Sequence, residues 1–157
     1  MKRTSEELQL LMDRFQEAIR RAGVKLTPQR IEIYREAART GDHPDIETIT
    51  RNVRRKMPTV SLDTVYRTLD LFKELGLVWT LRPFPARVRF DANMKPHHHF
   101  ICTRCGKVRD FYDRSLKNLK IPESAHSLGR VESARVELRG LCADCLKKKS
   151  GNGTTGT

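Results

Sequence analysis

The chain has no long apolar run. No stretch approaches the roughly 20 consecutive apolar residues that a membrane-spanning helix requires, and Met1–Phe15 lacks the apolar segment of a secretory leader. We therefore expect a cytoplasmic protein without a membrane partner. Apolar residues make up only 38% of the 157 residues, which is low for one large core and favours two small domains.

Acidic residues are few compared with basic ones. Lys and Arg number 31 whereas Asp and Glu number 19, so the formal net charge is +12. Such an excess favours a polyanionic partner, with nucleic acid ahead of a membrane surface. On charge alone, a basic surface that only keeps the protein soluble is the alternative.

Cysteine is restricted to two pairs. Cys102-x-x-Cys105 and Cys142-x-x-Cys145 have 36 residues between them, and in a reducing cytosol such pairs favour a metal over disulfides. Four thiolates complete a tetrahedron around Zn²⁺ and leave no open position, so the predicted role is structural. Two disulfides or an iron–sulfur centre are the alternatives. We expect loss of this sulfur site to unfold the domain that holds it.

Helical periodicity dominates the first half of the chain. Apolar residues at helical spacing predict four helices, and two β-rich runs with a proline-bearing tip between them predict a hairpin. Helices followed by a hairpin are typical of a winged helix-turn-helix, whose second motif helix enters the DNA major groove. The predicted elements are Thr4–Ala22, a helix beginning at Pro28, Asp45–Met57, Leu62–Leu75, and the strands Leu77–Leu81 and Arg87–Phe90.

The helix Leu62–Leu75 is the candidate for DNA recognition. Tyr66 and Arg67 lie on its outward side, where arginine can pair with phosphate or guanine and the tyrosine ring can contact a thymine methyl. A tyrosine in the core and a solvated arginine are the alternative. The predicted DNA-binding residues are Ser61, Thr64, Tyr66 and Arg67.

After Asp91 the pattern changes to short alternating strands, which predict a second, smaller α+β domain. The core of this domain would be thin, and a domain this small usually needs a bound metal to stabilise it. The tail is basic and then rich in Gly, Ser, Thr and Asn, so we expect it to be disordered. The predicted domains are 1–91, 92–146 and the tail 147–157. The predicted elements of the second domain are the strands His97–Ile101, Val108–Tyr112 and Arg135–Leu138 and the short helix Pro122–Leu128.

A second metal site, without sulfur, is predicted around the histidine run. His97 and His99 point to the same side of a strand, whereas His98 points to the other side and is left out. Three imidazoles and two carboxylates suit Fe²⁺, Mn²⁺, Zn²⁺ or Ni²⁺, and geometry decides among these ions. The candidate ligands are His43, Asp91, His97, His99 and Asp110.

Taken in order, these motifs resemble those of the ferric uptake regulator (Fur) family of bacterial metal-dependent repressors. The resemblance runs from about Leu11 to Cys145. It rests on Leu26-Thr27-Pro28-Gln29-Arg30, His43-Pro44, Ser61-Leu62-Asp63-Thr64-Val65-Tyr66-Arg67-Thr68-Leu69, Arg89-Phe90-Asp91, His97-His98-His99-Phe100-Ile101-Cys102, Cys105-Gly106-Lys107 and Gly140-Leu141-Cys142.

The resemblance implies a winged-helix DNA-binding domain, a C-terminal dimerisation domain, and a homodimer on an inverted-repeat operator in double-stranded DNA. It also implies structural Zn²⁺ on the four cysteines and regulatory Fe²⁺ or Mn²⁺ on the five His and Asp ligands. That ligand set is similar to the set of the peroxide-responsive PerR branch, in which bound Fe²⁺ reacts with hydrogen peroxide and ligand histidines, here His43 and His97, are oxidised.

Other functions remain open at this point. The iron and zinc branches usually carry Glu in place of Asp91, and often in place of Asp110, so an iron- or zinc-uptake regulator is the first alternative. An open metal position also permits a metal-dependent enzyme, and a metal buffer or interaction module is a third class. With no evident general base or substrate pocket, we expect no enzyme activity. The family's additional metal site is not expected, because Pro96, His98 and Ala134 depart from its pattern, and His126 is interpreted as a surface residue.

Overall fold

The computed structural model describes residues 2–83, 87–116, 119–132 and 134–150. The chain divides into two compact units, Met1–Met94 and Lys95–Thr157, and its mixture of helices and small sheets confirms the α+β class. The first unit contains α1 (Ser5–Arg21), α2 (Pro28–Ala38), α3 (Ile46–Arg54), α4 (Leu62–Glu74), β1 (Trp79–Leu81) and β2 (Arg89–Asp91). The second contains β3 (His98–Cys102), β4 (Val108–Phe111), α5 (Glu123–His126), β5 (Glu137–Gly140) and α6 (Ala143–Ser150).

Each of the first four helices begins where a side chain satisfies a backbone N–H of the first turn. Thr4 and Glu7 form the predicted capping box. Thr27, Asp45 and Ser61 each accept a hydrogen bond from the third helical residue after them. Because these caps are local in the sequence, the helix starts were predictable.

The end of α3 differs from the prediction. The helix was expected to reach Met57 but ends at Arg54. Arg55 N donates to Asn52 O, and Lys56 N donates to Val53 O. These three-residue hydrogen bonds tighten the chain into a turn. The turn then leads into α4.

The core of the first unit is built around three aromatic rings from three helices. Phe15 of α1 stacks on Tyr34 of α2 with ring centroids 4.3 Å apart, and Phe72 of α4 meets both rings edge-on. All three side chains are fully buried. The cluster also includes Leu11, Met12, Ile19, Ile33, Ala37, Ala38, Ile49, Val53, Val60, Val65, Leu69, Leu77, Val78, Phe90 and Ala92, so every member lies in the first unit.

The hairpin that follows α4 is antiparallel and short. Trp79 pairs with Asp91 and Leu81 with Arg89. Strand β1 begins two residues later than predicted because Leu77 N donates to Phe72 O, within the end of α4. Strand β2 extends to Asp91. Residues 84–86 of the expected tip lie outside the described residues.

The second unit is a three-stranded sheet in the order β4-β3-β5. Strand β3 runs antiparallel to β4, where His99 pairs with Asp110, and parallel to β5, where Cys102 pairs with Gly140. Strand β5 lies later than the predicted strand Arg135–Leu138, and the helix expected over Pro122–Leu128 is shorter.

The predicted start of the disordered tail at Lys147 is wrong, because α6 continues to Ser150. Helix α6 carries Cys145, which is buried. This anchors the helix despite its basic composition. Residues 151–157 of the predicted tail lie outside the described residues. Among the helices in the described part of the chain, none is long and apolar enough to cross a membrane.

Candidate metal centres

The four cysteines of the second unit come together in one sulfur site, defined as Cys102, Cys105, Cys142 and Cys145. Their sulfur atoms all lie within 4.8 Å of one another. A tight turn forms the first pair, since Gly106 N donates to Cys102 O and Gly106 adopts a left-handed φ of 66°. The parallel pairing of β3 with β5 delivers the second pair, because Thr103 N donates to Gly140 O at 2.8 Å.

The cysteines are free thiols. Cys105 Sγ and Cys142 Sγ lie 3.8 Å apart, well beyond the roughly 2.05 Å of a disulfide bond. The disulfide alternative is therefore not what the structure contains. Four converging sulfurs with no other donor fit a closed tetrahedral zinc site.

The electrostatics of the sulfur site also suit a cation. Burial would raise the pKa of Cys102, but backbone N–H groups of Cys142, Cys105 and Arg104 donate to its sulfur and lower that pKa to about 6. Burial raises the pKa of Cys145 to about 12, with further contributions from hydrogen bonds to the other three sulfurs. Ionisation of Cys145 near neutral pH therefore requires a bound cation, whose arrival releases the proton.

Two contacts that sequence reasoning missed link the cysteine pairs. Arg104 Nη1 donates to Cys145 O at 3.1 Å, and Lys107 Nζ lies 2.6 Å from Asp144 Oδ2. Each joins a residue of the first turn to a residue of α6. The ion pair is exposed and contributes little stability by itself, but both contacts hold α6 beside the sulfur site. No local pattern in the sequence signals this pairing.

The first unit contributes two of the predicted sulfur-free ligands, called here the His43 pair: His43 and Asp91. His43 Nε2 lies 3.7 Å from Asp91 Oδ1, and both side chains are almost completely buried. Asp91 Oδ1 also accepts a hydrogen bond from Asn93 N at 2.8 Å. Among the described residues, His43 is the only one other than glycine with a positive φ, 52°.

The second unit contributes the other three, called here the His97 triad: His97, His99 and Asp110. His97 Nε2 lies 2.9 Å from His99 Nε2, and each of these atoms lies 3.6 Å from Asp110 Oδ1. His97 Nδ1 lies 2.6 Å from Lys95 O. Because a carbonyl only accepts, the proton is on Nδ1 and the lone pair of Nε2 points to the other donors. This hydrogen bond fixes the ring of a predicted metal ligand.

His98 has a different role. Its side chain is buried, its Nδ1 accepts a hydrogen bond from Val136 N at 3.1 Å, and its ring packs 5.4 Å from Phe111. It therefore links β3 to the segment before β5, as expected for a histidine outside the metal site. His126 lies in α5 and is exposed. In the part of the chain that the structure describes, neither histidine joins a group of three or more ligand-type side chains.

The two ligand groups have the same donor chemistry. Each combines imidazole nitrogen with carboxylate oxygen and contains no sulfur, which suits Fe²⁺, Mn²⁺, Zn²⁺ or Ni²⁺. The His43 pair offers two ligands and the His97 triad three. The carboxylate of Asp91 is buried, and a cation beside it would offset the cost of burying its negative charge, so a cation fits this site.

The predicted DNA-binding residues lie at the start of α4. Ser61 Oγ accepts from Thr64 N at 3.0 Å, and the two hydroxyl groups lie 2.9 Å apart. Tyr66 is 56% exposed, so the alternative that places it in the core is wrong. Arg67 pairs with Asp63 at 2.9 Å, but both side chains are exposed. Such a pair contributes little, so the guanidinium can exchange the carboxylate for a phosphate at little cost.

The turn before α4 is held by basic side chains. Arg54 Nε donates to Val60 O at 2.9 Å, and Lys56 Nζ binds Glu32 Oε1 at 2.6 Å. Glu32 is buried on α2 and also binds Arg35. Two of the basic residues near α3 therefore fix the position of α4, a use of charge that composition alone does not reveal.

Comparison with known proteins adds independent information. The model of the ferric uptake regulator family matches residues 21–139. The peroxide-responsive repressor PerR of Staphylococcus epidermidis is 34% identical over 151 residues, covering 94% of this chain and 99% of that protein. The peroxide operon regulator of Bacillus subtilis is 36% identical over 135 residues, covering 85% and 92%. The crystal structure of the Campylobacter jejuni peroxide stress regulator superposes with a TM-score of 0.63 and 27% identity, covering 88% and 98%.

Proposed function

The chain belongs to the ferric uptake regulator family, and from that premise we propose that it is a metal-dependent transcriptional repressor that senses hydrogen peroxide. The observation that carries the proposal is the donor set of the two sulfur-free groups, in which both carboxylates are aspartates. The Staphylococcus epidermidis relative is named a peroxide-responsive repressor, and the Bacillus subtilis relative is named a peroxide operon regulator. Because those relatives are a repressor and a regulator, they favour regulation over the enzyme alternative.

We assign one regulatory ion, Fe²⁺ or Mn²⁺, to the His43 pair and the His97 triad together. Two or three ligands alone make an incomplete set, whereas five hard and borderline donors suit either ion. Because the pair and the triad belong to different units, shared binding favours one arrangement of those units. To raise the population of that arrangement from 1% to 99%, the ion must bind it about 5.5 kcal/mol more tightly than it binds the other arrangements. A difference in affinity between two states is what allows a ligand to act as a switch.

Oxidation is the proposed signal. Held by these five residues, Fe²⁺ would donate one electron to hydrogen peroxide and so break its O–O bond; one oxygen would leave as hydroxide and the other would be available to add to a neighbouring side chain. The imidazoles of His43 and His97 are the side chains that we expect to gain oxygen. An oxidised imidazole is a poorer ligand, so the His43 pair and the His97 triad no longer hold one metal ion between them. Repression then ends because the arrangement that binds DNA is no longer favoured.

Zn²⁺ is the proposed ion of the sulfur site, where it would stabilise the second unit without taking part in sensing. A homodimer is the proposed DNA-binding form, with one α4 from each chain in the major groove of an inverted-repeat operator. Ser61, Thr64, Tyr66 and Arg67 are the proposed contacts. Arg67 and the other basic side chains near the motif should make the affinity fall steeply with salt.

The test uses full-length protein with zinc on the sulfur site and an operator selected from random duplexes. Operator affinity is measured with Mn²⁺ or with Fe²⁺, before and after a small dose of peroxide. We expect only the Fe²⁺ form to release DNA, with added oxygen on His43 or His97 by mass spectrometry and none on His126, an exposed histidine that serves as the internal control. If both forms keep the DNA and only chelation releases it, the chain is a metal-uptake regulator.

His43→Ala tests the switch itself. This variant keeps the His97 triad and the sulfur site but removes one of the two ligands of the first unit. We expect it to retain zinc and to lose metal-dependent operator binding. Normal repression by His43→Ala in response to Mn²⁺ would contradict the shared ion.

A further inference from the structure

The loop that carries His43 is bonded to the strand that carries Asp91. Arg89 Nη1 donates to His43 O at 3.1 Å, and Phe90 N donates to Pro44 O at 3.0 Å. Asp45 and Arg89 also form an isolated antiparallel bridge. The two ligands of the His43 pair are 48 residues apart in the sequence, yet these links make them parts of one local structure.

His43 needs such support because of its backbone. A φ of 52° is in the left-handed region, which residues other than glycine occupy only when their surroundings hold them there. The side chain of Arg89 donates to the carbonyl of this same residue. The hydrogen bond therefore stabilises the residue whose backbone conformation is least favourable. That left-handed conformation directs Nε2 of His43 toward Asp91.

The backbone of Arg89 is also joined to the start of α3. Asp45 and Arg89 form the antiparallel bridge described above, and Asp45 caps α3 through Thr48 N at 2.8 Å. Arg89 is therefore connected to the His43 loop through its side chain and to the first turn of α3 through Asp45.

We propose that Arg89 is the positioning residue of the His43 pair: its hydrogen bond to the carbonyl of His43 presets the imidazole for the regulatory metal. The proposal rests on the proposed function, since it concerns the same ion. This inference goes beyond the proposed function because it assigns a role to a residue that is not itself a metal ligand. Removing a residue that orients a metal ligand without touching the metal typically weakens metal binding by about 10- to 100-fold.

Arg87 offers a matched control. It precedes the same strand and has the same charge, but its Nη1 pairs with Glu47 Oε1 at 2.5 Å. Arg87→Met therefore removes an arginine near β2 without removing the hydrogen bond to His43. Arg89→Met removes that hydrogen bond, and Arg89→Lys keeps the charge and one flexible donor.

Mn²⁺ affinity of the full-length, zinc-containing protein is measured by calorimetry, with zinc content and thermal unfolding as checks on the fold. We expect Arg89→Met to weaken Mn²⁺ binding by about 10- to 100-fold, Arg89→Lys to recover part of the loss, and Arg87→Met to bind as the wild type does. After Fe²⁺ loading and peroxide, the share of added oxygen on His43 relative to His97 should fall in Arg89→Met. A purely structural role would not redirect the oxidation.

The same substitutions in a His43→Ala background decide how Arg89 acts. If it acts through His43, Arg89→Met has no further effect on the residual Mn²⁺ affinity there. An equal loss in both backgrounds, or no loss in either, would overturn the inference while wild-type binding still supports the proposed function. A wild-type protein that binds no Mn²⁺ would contradict both. If Arg89→Met does not fold, Arg89→Lys is used in the same cycle.

Discussion

Removal of zinc from the sulfur site should unfold the second unit and leave the first unit folded. The perturbation is a chelator, or Cys145→Ser, which removes one of the four thiolates. Among the described residues of the second unit, the buried apolar side chains are Ile101 and Val108, together with the buried sulfurs Cys102 and Cys145. A core of this size cannot order the sheet around it.

The structure gives the magnitude. Burial of Ile101 and Val108 contributes about 3–6 kcal/mol, at about 1.5–3 kcal/mol for each side chain. Strands β3, β4 and β5 contain thirteen residues, and fixing their backbone costs about 13–26 kcal/mol, at about 1–2 kcal/mol per residue. The deficit is about 7–23 kcal/mol, a range that includes the roughly 10–16 kcal/mol that structural zinc supplies in small domains.

Amide hydrogen exchange read by mass spectrometry is the assay. Cys102 N donates to Lys107 O at 2.9 Å at the end of β3, and this amide should be protected when zinc is bound. We expect protection across β3 to disappear after chelation and to return when zinc is added back. Amides of α2 around Ile33 and Tyr34 should keep their protection, because the core cluster lies entirely within the first unit.

One result would refute this reasoning. If β3 remains protected in chelated protein and in Cys145→Ser, then something other than zinc stabilises the sheet. Simultaneous loss of protection in α2 would contradict the independence of the two units. Both outcomes are measurable in the same experiment.

Two further predictions concern the first unit. Phe72→Ala should lower the free energy of unfolding by about 3–5 kcal/mol, because the ring is fully buried against Phe15 and Tyr34; chemical denaturation measures this, and a loss below about 1 kcal/mol would contradict the packing. Asp45→Asn keeps the cap of α3 but removes its charge. Since the pKa of Asp45 is lowered by folding, its stabilisation is present above the unfolded pKa and is lost as pH falls through the folded pKa. The variant should therefore be less stable than the wild type at pH 7, and this difference should vanish in acid; a difference that grows as pH falls would contradict the sign.

The elements that the sequence predicts well are those with local signals. The starts of α1, α2 and α4 follow from Thr4 with Glu7, from Thr27 before Pro28, and from Ser61. The grouping of the four cysteines was predicted from the two CxxC spacings; a turn closed by Gly106 forms the first pair, and the second pair lies at the start of α6. Residues 147–150 were misjudged because their composition is that of a tail, whereas the buried Cys145 anchors α6.

Features that depend on distant contacts were not predictable. The parallel pairing of β3 with β5 joins strands 35 or more residues apart, and no short pattern specifies it. The positive φ of His43 has no sequence signal either, because glycine, not histidine, usually marks that conformation. The role inferred for Arg89 depends on that backbone and therefore emerges only from the structure.

The position of β3 in the middle of its sheet has a consequence for the order in which the protein matures. During synthesis, β3 and β4 leave the ribosome before β5 and the second cysteine pair exist. Until then Cys102 and Cys105 provide only half of a zinc site. The first unit is already complete and can fold alone at this stage. A shortage of metal at this stage would therefore leave a chain whose first unit is folded and whose first cysteine pair is still without a complete site.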